Sequence, residues 1–251
     1  MGLLILLFGV VPVQAQEVRV GIGFAIPPYV IEKSNSGVEV DVIREAFKSQ
    51  GHSAVFVYLP NLRLPLAFDE GSVDCIATNA AYDVGKDAQR DAYYSDITVV
   101  FQNYAVALKE KGYDIKSIAD LSDKVVLGFN NAVKYLGSEF AFMAESNPRY
   151  SELADQALQV RLLYTERVDV VVSDKRIFLY WRNQLTRSPL ADSINLNQKI
   201  VFNPIFPSAP RHLAFAAPEL RSDFNDGLTA IRKSGGFGSI VEKYVGIEQS
   251  D

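Results

Sequence analysis

The stretch Arg167-Val168-Asp169-Val170-Val171-Val172-Ser173-Asp174, continued by Lys175-Arg176-Ile177-Phe178-Leu179-Tyr180-Trp181, reads as one strand-to-helix unit. Val168–Val172 is an apolar strand of the kind covered on both faces, as parallel strands are. Lys175–Gln184 then carries apolar residues at helical spacing, and Asp174 stands where a side-chain oxygen can cap that helix. A buried strand running through a polar turn into a helix is the building block of an α/β sheet.

The same alternation recurs outward in both directions. Further strands are expected over Glu17–Ile22, Ala54–Leu59, Val73–Ala77, Asn103–Leu108, Val125–Phe129, Val201–Phe206 and Leu213–Ala216. Helices are expected over Val38–Gln50, Asn61–Glu70, Asn131–Met143, Glu152–Thr165, Arg221–Lys233 and Gly238–Tyr244. In two places an apolar strand meets a polar turn and a helix start: Cys75-Ile76-Ala77-Thr78-Asn79, and Val126-Leu127-Gly128-Phe129-Asn130-Asn131. Ligands of open α/β sheets bind at the carboxyl ends of strands, so two such sets facing each other make a cleft.

Composition narrows the function. The 251 residues carry 30 Asp+Glu against 25 Lys+Arg, a net charge of −5. That argues against nucleic acid, whose binders present a basic stripe. The one cysteine, Cys75, excludes an intramolecular disulfide, and His52 and His212 are too far apart in sequence to suggest a zinc site. Gly21-Ile22-Gly23 is followed by Pro27-Pro28 where a dinucleotide-binding helix must begin, and Gly235-Gly236-Phe237-Gly238 simply separates two helices. No cofactor motif is present. The uncharged run Leu3–Val13, closed by Val13-Gln14-Ala15, has the length of a secretory signal rather than of a spanning helix, which needs about 20 apolar residues. No Lys or Arg precedes it. A mature, exported chain from about Gln16 is expected.

The order of these elements resembles the bacterial periplasmic solute-binding proteins, family 3, that serve amino-acid ABC importers. The matching stretches are VRVGIGFAIPPYVIE, GVEVDVIREAFKSQG, LRLPLAFDEGSVDCIAT, YYSDITVVFQNYAVALKE, DLSDKVVLGFNNA, RVDVVVSDKRIFLYW and LRSDFNDGLTAIRKSGGFGSIVEKYVG. The resemblance implies a type II periplasmic-binding-protein fold, two α/β lobes joined by a two-strand hinge. Residues 16–102 and 210–251 would form lobe one and residues 103–209 lobe two, with crossings near Phe101–Ala105 and Ser208–His212.

The resemblance also implies a site. Asp174 falls at the family's ammonium-binding Asp, and Thr78 and Asn79 fall on its small polar pair. The carboxylate-gripping Arg has no clean counterpart: Arg90 is the nearest guanidinium, and Lys86 lies near the expected place. Arg63, in Pro60-Asn61-Leu62-Arg63, resembles the anchor of a divergent branch. Asn130 and Asn131 replace the hydroxyl residues that open the lobe-two helix, where backbone donors would survive and Lys134 could add charge. Gly23 replaces an Asp found in relatives that bind cationic amino acids. Tyr29 takes the aromatic position after the proline pair, and Phe24 or Ile26 could line the cleft.

Three functions follow: a monomeric binding protein delivering an amino acid or related carboxylate to an inner-membrane ABC permease, a sensor regulating a membrane signalling partner, or a dehydratase-like enzyme with Asp174 as acid. The first is the expected one.

Overall fold

The computed structural model describes residues 15–24 and 26–246. The apolar run expected as an export signal, and the last residues of the segment 210–251, lie outside the described residues.

Lobe one opens with three parallel strands, β1 (Glu17–Gly23), β2 (Ser53–Leu59) and β3 (Cys75–Asn79), linked by helices α1 (Val38–Ser49) and α2 (Leu64–Asp69). Short helix α3 (Val84–Asp87) and strand β4 (Tyr93–Tyr94) lead into the long strand β5 (Val99–Leu108). Lobe two contains β6 (Val126–Phe129), α4 (Ala132–Tyr135), α5 (Ser138–Ser146), β7 (Tyr150–Leu153), α6 (Gln156–Tyr164), β8 (Val170–Asp174), α7 (Lys175–Thr186) and β9 (Ile200–Asn203). Strand β10 (Ser208–Phe215) returns to lobe one, where α8 (Pro218–Lys233) and α9 (Gly236–Val245) follow.

The strands run in the order β2-β1-β3-β10-β5-β8-β6-β7. The centre of that path is the crossing. β5 and β10 pair antiparallel from Ser208–Gln102 to Arg211–Val99. Beyond it, β10 pairs with β3 and β5 pairs with β8, so each crossover strand belongs to both lobes. The crossing Ser208–Arg211 lies within the stretch expected from the sequence, and Val99–Gln102 overlaps the expected Phe101–Ala105 at Phe101 and Gln102. The result is the two-lobed α/β fold.

Each lobe has its own core. In lobe one the apolar face of α1, including Val42, Ile43, Ala46 and Phe47, packs with Val20 and Ile22 of β1 and with Phe224 and Leu228 of α8. In lobe two, Val126, Val170, Val172 and Phe140 form one side of the sheet, and Leu127, Val171, Leu163 and Phe178 the other. Burying such side chains stabilises by about 1.5–3 kcal/mol each. Helix α7 bridges the two: Ile177 joins the lobe-one core, Phe178 and Leu185 the lobe-two core.

Two local expectations are corrected. The single helix over Asn131–Met143 is two short helices, because Gly137 between them adopts φ of 90°, which an L residue rarely takes. Glu152, expected to begin a helix, lies in β7 beside β6; the helix starts later, where Asp155 accepts from the Leu158 N–H.

Candidate functional site

Strands β1, β2 and β3 are parallel, so Gly23, Leu59 and Asn79 end at one edge of lobe one. At that edge a pocket of roughly 560 Å³ is lined by Asn61, Leu62, Leu64, Thr78, Asn79 and Arg211, among others. Arg211 lies on β10 directly opposite Asn79, and residues directly opposite in an antiparallel ladder share a face. Its Nε donates to both oxygens of Glu39, at 2.8 and 3.0 Å, and Glu39 is 0% exposed. The guanidinium also lies over the Phe101 ring, 5.1 Å from its centroid. Glu39 therefore fixes the Nε edge from behind. The Nη edge remains for the pocket, in the forked geometry that receives a carboxylate bidentately.

The neighbours suit the same task. The Asn79 side-chain oxygen accepts from the Ala81 N–H at 2.8 Å, which leaves its amide NH₂ as a donor. Thr78 lines the pocket as well. The Asn61 carboxamide oxygen sits in the space that a side chain at Gly23 would enter, so a larger residue there would require Asn61 to swing aside. No acidic residue stands at position 23 to draw in a second positive charge.

Asp174 stands at the strand-to-helix turn, where it caps α7 as the sequence places it. It is 4% exposed, and its carboxylate is engaged on all sides. The Tyr29 hydroxyl donates to both oxygens at 3.1 Å, the Gln102 N–H donates at 2.8 Å, and the Arg176 and Ile177 N–H groups donate at 2.8 and 3.1 Å. These donors use the acceptor sites a carboxylate has. Burial nevertheless raises the Asp174 pKa above the ordinary range, with those donors opposing it. Asp174 thus serves as a helix cap and an inter-lobe bridge. Tyr29 is no cleft-lining aromatic: it is wholly buried, 4.1 Å from the Phe101 ring, and burial pushes its hydroxyl pKa well up.

In lobe two, two backbone donors at the start of α4 are already taken. Glu152 Oε2 accepts from the Asn131 N–H at 2.7 Å, and Oε1 accepts from the Val133 N–H at 3.1 Å and the Tyr150 hydroxyl at 2.9 Å. Burial acts to raise the Glu152 carboxyl, but these donors and nearby Lys134 outweigh it and hold it below the usual range. Asn131 adopts φ of 64° without a side-chain cap, and Asn130 and Lys134 are exposed. The expected anion seat at Asn130-Asn131 is therefore occupied by the protein's own carboxylate.

The candidate anchors separate in space. Arg90 donates to the Phe68 carbonyl at 2.8 Å and lines a depression with Arg19, His52 and Asp74. That depression lies at the amino ends of β1 and β3, so Arg90 is at the opposite strand edge from Thr78 and Asn79. The loop after α3 is tied to the end of α2, where the Gln89 N–H donates to Asp69 and the Arg90 guanidinium lies over the Phe68 ring. Lys86 is exposed and pairs with Asp83 at 3.6 Å. Arg63 is exposed beside Asn61 and Leu64 at the pocket's lip, outside its lining. Arg211, which sequence reasoning missed, is the guanidinium that reaches Thr78 and Asn79. The available signal was Glu39: an acid between Val38 and Val40 on the apolar side of a helix must be paired. Among the described residues, no group of three or more His, Cys, Asp or Glu side chains is placed to hold a metal, and no helix is long and apolar enough to cross a membrane.

Two lobes, a paired-strand hinge and a polar pocket at the strand ends define a ligand-binding fold of the periplasmic-binding-protein kind. The chain belongs to the bacterial extracellular solute-binding proteins, family 3, whose model matches residues 18–247. No curated protein matches the chain by sequence. Among solved structures, it is similar to an ancestral cationic amino acid solute-binding protein, with TM-score 0.67 and 20% identity over 91% of this chain and 95% of that one. The GluR0 ligand-binding core in complex with L-glutamate gives TM-score 0.62 at 18% identity, over 93% and 99%. A histidine kinase sensor domain with similarity to periplasmic binding proteins gives 0.59 at 18%, over 91% and 96%.

Proposed function

We propose that this protein captures a small carboxylate-bearing solute, an amino acid or related acid, by hinge closure in the periplasm and delivers it to an inner-membrane ABC permease. The observation that carries the reading is Arg211. It is fixed by Glu39, opens beside Thr78 and Asn79, and belongs to β10, a crossover strand. A carboxylate seated there is held by the hinge itself, so its binding has a direct route to the relative position of the lobes. The ligand described for the glutamate-bound core supports the ligand class.

The protein acts in this reading as a monomeric binding protein rather than as an enzyme, since Asp174, the acid on which the enzyme reading draws, is engaged as a cap and bridge. A second reading, a sensor for a membrane signalling partner, draws on the likeness to the histidine kinase sensor domain. The test is a thermal-shift screen of protein unfolded and refolded to strip carried-over ligand. A ligand at 100 times its Kd should add about 2.7 kcal/mol of stability. A carboxylate hit, followed by loss of uptake of that compound when the gene is deleted, supports transport. A hit with unchanged uptake supports sensing, and silence across amino acids and carboxylates counts against both.

A further inference from the structure

We infer that the pocket takes a solute with a single anionic head and an apolar body, and that Glu152 is the residue that turns away a second anionic group. The inference rests on the proposed seating of a carboxylate at Arg211 and names the class of solute seated there.

The first observation is what surrounds the head group. Beyond Arg211, Thr78 and Asn79, the pocket lining is mostly apolar, with Leu62, Leu64 and Leu66 among it; the one acid in that lining, Asp69, accepts from the Gln89 N–H at 2.7 Å. Leu62 is 94% exposed and Leu66 is 43% exposed, although apolar residues of this size more often lie inside. Phe24, 48% exposed, follows the end of β1 at the same strand edge. A large apolar surface gathered around a few directed polar groups is the usual lining of a small-molecule site. An apolar body on the solute is the occupant that removes this surface from water while its carboxylate meets the Arg211 fork.

The second observation is independent and lies in lobe two. The carboxyl ends of β6, β7 and β8 share one edge of lobe two, and Asp174 at the end of β8 pairs with Asn103 on the crossover strand. At that edge Glu152 receives the Asn131 and Val133 N–H groups and the Tyr150 hydroxyl. The arrangement is built from several elements: Gly128 leaves the room for the Tyr150 hydroxyl, which a Cβ would meet at 2.6 Å. A second carboxylate on the solute would find its donors spent and a fixed negative charge beside them. Beside Tyr135, 74% exposed, an apolar group finds no such penalty.

The test is calorimetry on refolded full-length protein with acetate, butyrate, hexanoate and glutarate as probes. Each methylene fully removed from water is expected to tighten binding by about fourfold. Hexanoate, longer by about four methylenes, should therefore bind about 250-fold better than acetate if the body is wholly buried and at least about tenfold better if it is partly buried. Glutarate should bind at least about tenfold worse than butyrate in the wild type, and that gap should shrink in Glu152→Gln. Equal affinity for acetate and hexanoate would overturn the apolar body. Glutarate binding as well as butyrate in the wild type, or a gap unchanged in a folded Glu152→Gln, would overturn the role of Glu152. The wild-type comparison stands if the variant fails to fold. Absence of binding by all four probes would instead sink the carboxylate reading on which the inference rests.

Discussion

The hydroxyl of Tyr29 stands 3.1 Å from both carboxylate oxygens of Asp174, joining the segment after β1 in one lobe to the end of β8 in the other. Asp174 also caps α7, and Gln102 of crossover strand β5 donates to the same carboxylate. One buried acid therefore serves a helix, a hinge strand and the opposite lobe. Asp174→Ala removes a cap worth about 1 kcal/mol and leaves several buried donors unmet at about 1–3 kcal/mol. The expected outcome in urea unfolding of the ligand-free protein is a loss of about 2–4 kcal/mol. Tyr29→Phe should cost less, about 1 kcal/mol. Unchanged stability in both variants would show the bridge to be absent in solution.

Glu39 and Arg211 form the second pair to test. Arg211→Met leaves a wholly buried carboxylate unpaired, which costs about 3–5 kcal/mol. Combining it with Glu39→Gln should recover most of that stability, because both charges are then gone. Carboxylate binding should stay lost in the double variant. Stability and binding that returned together would show that Arg211 acts only through the fold.

His212 supplies a pH dependence. Its ring is stacked on Tyr94 at 4.7 Å, and its Nε2 is buried without a hydrogen-bond partner among the described residues. Burial, and then the neighbouring Arg211 charge, lower its pKa from 6.5. Between that value and the lower folded one, the unfolded chain binds the proton first. Stability therefore falls as pH drops below about 6.5 and the loss stops once the folded pKa is passed. His212→Phe keeps the stacking and should flatten the change in melting temperature between about pH 7 and 5. An unaltered profile would place the acid sensitivity elsewhere.

Gly128 gives a steric prediction. Gly128→Ala sets a Cβ 2.6 Å from the Tyr150 hydroxyl and should destabilise by about 1–3 kcal/mol. Adding Tyr150→Phe removes the clashing oxygen and should restore a good part of it in the same thermal-melting assay. Failure of the second substitution to help would mean that the backbone, not the hydroxyl, resists the change.

The fold was legible because its signals are local. The strand ending at Asp174 and the helix opening at Lys175 lie side by side in the chain, and the paired crossover segments overlap the expected Phe101–Ala105 and lie within the expected Ser208–His212. The lining of the candidate pocket was legible only where a strand end supplied it, as with Thr78 and Asn79. Arg211 reaches Asn79 only through the β3–β10 ladder, and Glu152 reaches Asn131 only through the β6–β7 pairing. Neither approach leaves a local pattern. Arg90, near in sequence to the family's anchor loop, is carried to the wrong strand edge and held there by the Phe68 carbonyl.

The most direct test of the central claim is calorimetry with hexanoate on the refolded wild type, Arg63→Ala, Arg90→Ala and the Glu39→Gln/Arg211→Met double variant. The account predicts binding by the wild type, unchanged affinity in Arg90→Ala, at most a few-fold loss in Arg63→Ala and a loss of about a hundredfold or more in the double variant, a charge-assisted pair being worth about 1.5–3 kcal/mol or more when bidentate. Full affinity in the double variant, or its loss in Arg90→Ala, would contradict it.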